Sequence, residues 1–111
     1  MAGATYAHDL TVIVPTYNES GNVAELVRRT ALALAGLNAA ILFVDDSTDD
    51  TADVVREVAK TAPLPVSVIH RDEPVNGLGG AVVEGFQAAG SAICVVMDGD
   101  LQHPPEKIRE L

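Results

Sequence analysis

Asp98-Gly99-Asp100 sets two carboxylates, one glycine apart, at the end of the apolar run Ile93-Cys94-Val95-Val96-Met97. Alternate residues of an extended chain point to the same side, so the two carboxylates are expected to meet in one spot. Two such charges about 5 Å apart repel by roughly 3 kcal/mol at an effective dielectric near 20. A cation between them, or a proton on one of them, relieves that repulsion. The simplest occupant is a hard divalent ion, Mg²⁺ or Mn²⁺, whose oxygen shell is completed by water and phosphate. A solvated turn at a strand end is the plain alternative.

Two further polar clusters stand at the ends of apolar runs. Pro15-Thr16-Tyr17-Asn18-Glu19 follows the run Leu10–Val14, and Asp45-Asp46 follows Ile41–Val44. Both runs, with Val66–Ile69 and Ile93–Val96, read as short buried strands, and Pro15 is expected to stop the first. Between them lie helical patterns. Val23, Leu26, Val27, Ala31 and Leu34 recur at three and four residues, with Asn22 and Glu25 spaced as a capping box and Gly36 as the stop. Val54, Val55, Val58 and Ala62 form the next stripe. A loop from Arg71 to Gly80 leads into a helix over Ala81–Ala89, and Pro104-Pro105 begins a last one.

Strand-helix alternation with short connections predicts an α/β fold, a parallel sheet with helices on both faces. The nucleotide-binding order 3-2-1-4 sets the first and fourth strands side by side. Ligands of such sheets bind there, outside the carboxyl ends of the strands, so the three polar clusters are expected to converge. Residues 1–9 read as an N-terminal tail and 10–111 as one domain.

Sixteen acids against seven bases give a net charge of −9. That balance argues against sequence-independent nucleic-acid binding and against docking on an anionic membrane. An anionic ligand then requires metal ions and backbone N–H groups to supply the positive field. Met1 to Asp9 lacks the basic and apolar segments of a signal peptide, and the apolar runs are too short to cross a bilayer. A cytoplasmic location, or the cytoplasmic face of a membrane, is expected. Cys94, the single cysteine, reads as a buried reduced thiol.

Val12–Glu19, Val44–Thr51, Gly77-Leu78-Gly79 and Met97–Glu106 occur in that order over nearly the whole chain. Together they resemble the nucleotide-binding half of inverting family-two glycosyltransferases with the GT-A fold, most of all the dolichol- and polyprenol-phosphate mannose synthases and their bacterial relatives. The resemblance implies that Pro15, Tyr17 and Glu19 line a nucleoside pocket, and that Asp46, with Asp45 beside it, holds base or ribose. It implies that Asp98 and Asp100, flanking Gly99, form the catalytic Asp-X-Asp pair that binds the metal and through it the donor diphosphate. Gln102 would be a third protein ligand. Arg71 is the cation nearest the phosphates, because Val75-Asn76 stand where many mannose synthases carry a lysine. Gly79, with Gly77 and Gly80, could bring backbone close to a phosphate at a helix start.

The implied reaction transfers a sugar, mannose or else glucose, from a GDP-mannose- or UDP-glucose-type donor to a polyprenyl or dolichyl phosphate with inversion. Relatives continue for about as many residues again, so this chain is expected to hold the donor without completing transfer. Other readings remain open: a hydroxyl acceptor, a non-catalytic nucleotide-binding module, a receiver-like phosphoacceptor domain, or an aspartyl-phosphate phosphatase.

Overall fold

The computed structural model describes residues 7–101 and 104–110. Strand and helix alternate through them: β1 (His8–Thr16), α1 (Val23–Ala33), β2 (Ala39–Asp45), α2 (Thr51–Ala59), β3 (Val66–His70), α3 (Gly77–Ala88) and β4 (Ser91–Val96). A 3₁₀ helix, Pro105–Glu110, follows. All strands pair in parallel in the order β3-β2-β1-β4. The expected order is therefore observed, and β1 and β4 are neighbours where the winding reverses.

Strand alternation divides the sheet's side chains between two layers. Val12, Val14, Ile41 and Phe43 face Val23, Leu26 and Val27 of α1 and Val55 of α2, with Met97 and Ile108 closing the layer. Ile13, Leu42 and Val44 face the other way, against Ala81 of α3, with Ile69 and Cys94 at the margin. Helices thus cover both faces. α3 lies close on its face because position 85 has no side chain; a Cβ there would stand 2.6 Å from Ile13 Cγ2. Cys94 is a free thiol in this layer, and burial pushes its pKa up.

Several local expectations are corrected. β1 runs through Pro15 to Thr16. Met97 N–H donates to Ile13 O on the β4 side, and Asp46 N–H donates to Thr16 O on the β2 side. Groups of one parity along a strand face one neighbour, so the donor Pro15 lacks would point toward β4. The β4 ladder has already ended at Ile13–Val96, so no ladder bond is lost. The capping box at Asn22 does not form. A 3₁₀ turn, Ser20–Asn22, runs straight into α1, leaving Asn22 with helical dihedrals and no side-chain cap, whereas a cap requires extended backbone. Glu25 instead accepts from Arg28.

α3 begins at Gly77, four residues before the expected start, after Asn76 in the left-handed region at φ 62°. The last segment is 3₁₀ and is fastened to α1 by two hydrogen bonds from Arg29 to Glu106. Strand β1 also takes in His8 and Asp9. Among the described residues no helix is long and apolar enough to cross a membrane.

Candidate functional site

The register levels the carboxyl ends of three strands: Thr16 pairs with Asp45, and Asp45 with His70. Above this row opens a cleft of about 430 Å³. β1 and its following loop contribute Pro15, Thr16, Tyr17 and Glu19, and the residue after β2, Asp46, joins them. The start of α3 adds Pro74, Gly77 and Leu78, and the turn after β4 adds Asp98, Gly99 and Asp100. The Tyr17 ring is exposed and available to a flat partner. Asn18, at φ 51°, fixes the β1 loop: its N–H donates to Ser47 Oγ, and its Oδ1 accepts from the N–H groups of Thr48 and Asp49.

The acidic pair is not brought together by strand alternation. β4 ends at Val96, and Asp98 to Asp100 lie in a turn. Gly99 is the buried member, and a Cβ on it would stand 2.1 Å from Glu19 Oε2 and 3.0 Å from Thr16 Cγ2. This inward glycine seats the turn against β1 and leaves the flanking carboxylates exposed beside the cleft. Two oxygen-bearing side chains with open approach suit an ion that also takes water and phosphate oxygens. Among the described residues no group of three or more His, Cys, Asp or Glu is arranged to hold a metal by itself.

Glu19 reports the field at this spot. Its Oε2 is buried without a hydrogen-bond partner. Burial first, then the charges of Asp100, Asp98 and Asp45, push its pKa above the ordinary 4.5, partly offset by the Tyr17 N–H. Beside this buried acid the two exposed carboxylates offer oxygens that a hard cation fits, with the rest of its shell left to water and phosphate. The shift carries a stability consequence. A carboxyl whose folded pKa is raised favours the folded state while protonated, and that advantage is lost as pH rises through the folded value. Glu19→Gln is therefore expected to raise the thermal midpoint at pH 7, with the gain shrinking as pH falls toward 4.5. Thermal melts across that range check it; a lowered midpoint at pH 7 refutes it.

Three expected ligand residues lie elsewhere. Asp45 is fully buried. Its Oδ1 accepts from Thr16 Oγ1 at 2.7 Å and from Ser47 Oγ, and its Oδ2 meets His70 Nδ1 at 2.8 Å. The carboxylate therefore ties strand ends together and does not face the cleft. No phosphodonor could reach it, which removes the receiver-like reading that relies on this pair. Arg71 does not point at the cleft either. Its Nε and Nη2 donate to the two oxygens of Asp46, each at 2.7 Å. Gly79 faces away from the cleft, whose backbone wall is Gly77 and Leu78. Gln102 and His103 lie outside the described residues.

Sequence reading passed over Thr16, Ser47 and His70. The only signal for Thr16 and His70 was their place at strand ends level with Asp45, which needs the register to be known.

The model of the family described as "Glycosyl transferase family 2" matches residues 11–111. Over 103 residues the chain is 48% identical to a dolichol-phosphate mannosyltransferase of Pyrococcus furiosus, a match covering 92% of this chain and 28% of that protein. It is 34% identical over 107 residues to an undecaprenyl-phosphate 4-deoxy-4-formamido-L-arabinose transferase of Pseudomonas savastanoi, covering 92% and 31%. Among solved structures, a Pyrobaculum calidifontis mannosyltransferase in complex with GDP-Man and Mn²⁺ superposes with a TM-score of 0.74 at 32% identity, over 87% of this chain and 29% of that one. The chain thus spans less than a third of the length of these relatives. The parallel 3-2-1-4 sheet with helices on both faces is the Rossmann-like arrangement of the GT-A glycosyltransferases.

Proposed function

Because this chain belongs to glycosyl transferase family 2, we propose that it is the donor-binding part of an enzyme that moves a hexosyl group from a nucleoside-diphosphate sugar to a polyprenyl phosphate with inversion. Mannose from GDP-mannose is the first choice of donor and glucose from UDP-glucose the second. One observation carries the reading: Tyr17 and Asp46 share a single cleft with Asp98 and Asp100. Groups for a nucleoside and groups for a metal-bound diphosphate stand within the reach of one ligand. The metal-containing mannosyltransferase among the similar structures supports the same assignment.

The residues divide the work. Tyr17 offers an exposed ring for the base to stack on. Asp46 turns a carboxylate toward the cleft, able to accept two hydrogen bonds from a ribose diol. Asp98 and Asp100 would hold Mg²⁺ or Mn²⁺, with Gln102 as a further oxygen ligand. When bound, that ion supplies Lewis-acid stabilisation of the charge on the departing diphosphate. Gly77 and Leu78 close the side of the cleft. A polyprenyl phosphate, with a second pKa of about 6, is mostly ionised at neutral pH and can attack the anomeric carbon without a protein base. A site on the cytoplasmic face of a membrane, where such lipids present their phosphates, fits this acceptor.

Calorimetric titration with GDP-mannose and UDP-glucose, with and without Mn²⁺, tests the reading. Binding that depends on Mn²⁺ is the expected result. No binding of either donor in the presence of Mn²⁺ would refute it.

A further inference from the structure

Two consecutive residues at the tip of β3 face two consecutive acids at the tip of β2. His70 meets Asp45, and Arg71 meets Asp46. Arg71 goes further: Nη1 donates to Val75 O at 3.1 Å and Nη2 to Gly77 O at 2.8 Å. These two carbonyls belong to the segment that enters α3 and supplies Gly77 and Leu78 to the cleft. Four hydrogen bonds engage a guanidinium that has five N–H donors. The side chain is only 7% exposed. Gly80 leaves room for the arrangement, since a Cβ there would stand 2.0 Å from Val75 O and 3.1 Å from Arg71 Nη1.

We propose that Arg71 is a positioning residue: one guanidinium holds the Asp46 carboxylate at the cleft and fastens beside it the 75–77 backbone that leads Gly77 and Leu78 into the same wall, without touching the ligand. A fork is needed for this, because one side chain must chelate a carboxylate and also meet two carbonyls. Lysine, a point charge with no fork, cannot reproduce it. Asp46 and the start of α3 are 31 residues apart in sequence, counting from 46 to 77, and Arg71 bonds to both. The placing of these two parts of the cleft wall side by side therefore depends on this side chain.

The test has two arms, and only the second rests on the donor-binding reading. In the first, backbone amide exchange is followed in wild type, Arg71→Ala, Arg71→Lys and Gly80→Ala. The Gly77 and Gly80 amides, bonded to Pro74 O and Asn76 O, are expected to exchange about tenfold faster in all three variants while β1 and β2 amides keep their protection. Unchanged exchange at Gly77 and Gly80 overturns the latch even if no nucleotide binds. In the second arm, guanosine, GDP, uridine and UDP are titrated with Mn²⁺ present. A positioning role weakens the preferred nucleoside and its diphosphate by the same factor, about tenfold, the lower end for groups that orient a binding side chain. Loss confined to the diphosphates would make Arg71 a phosphate ligand and overturn the proposal. Failure of wild type to bind any of the four would count against the donor-binding reading and leave the exchange result standing.

Discussion

Asp98→Asn and Asp100→Asn are each expected to lower Mn²⁺-dependent nucleotide affinity by about 10- to 100-fold, the loss of one charge-assisted contact of roughly 1.5–3 kcal/mol. Asparagine keeps the size and one acceptor oxygen, so the change isolates the charge. The fold is expected to survive, because both side chains are exposed and surface replacements of this kind shift stability by less than about 0.5 kcal/mol. Each variant also removes a negative neighbour from Glu19, whose pKa the two acids raise, so the apo protein should melt no lower than wild type. Calorimetry with and without Mn²⁺ measures the effect. Metal-dependent affinity unchanged in both variants would remove the ion from this site, and a fall in the metal-free affinity alone would move the acids to direct ligand contact.

The second large effect is on stability and falls on the other aspartate pair. Asp45→Ala leaves the Thr16 and Ser47 hydroxyls and His70 Nδ1 without their shared acceptor. Each buried polar group left without its partner costs about 1–3 kcal/mol, so the loss of this shared acceptor removes a large part of the roughly 5–15 kcal/mol that holds a domain together. Asp45→Asn keeps an oxygen for the hydroxyls and should cost less. Asp46→Asn should cost least of all, since it keeps an oxygen for Arg71 and its side chain is 15% exposed. Urea unfolding of the three variants gives the order. Equal losses at positions 45 and 46 would contradict the division of a buried tie from a cleft-facing carboxylate.

That division shows where local reading stops. Adjacent strand residues point to opposite sides, so one of Asp45 and Asp46 had to face away from the other's surroundings. Which of them turns inward depends on Thr16 and His70 standing level with Asp45, a fact of register between strands. Arg71 was legible as a cation near the site. Its partner, Asp46, is 25 residues away, and the intended phosphate of the sequence reading lost to a carboxylate already in place. At Gly99 the sequence showed two acids flanking a glycine and suggested strand alternation. Contact of the glycine with Glu19 and Thr16 instead orients the pair from a turn.

By itself the sequence determined the elements, their order in the sheet, the two-layer burial and the edge at which the acids gather. Those follow from hydrophobic period, turn residues and the handedness of crossovers, all local or topological. Only the tertiary structure decided which acid is buried, where α3 begins, why Pro15 can stay in a central strand, and what Arg71 holds. Each of those answers is a contact between residues distant in the chain, and no spacing within a segment encodes the partner that arrives from another strand.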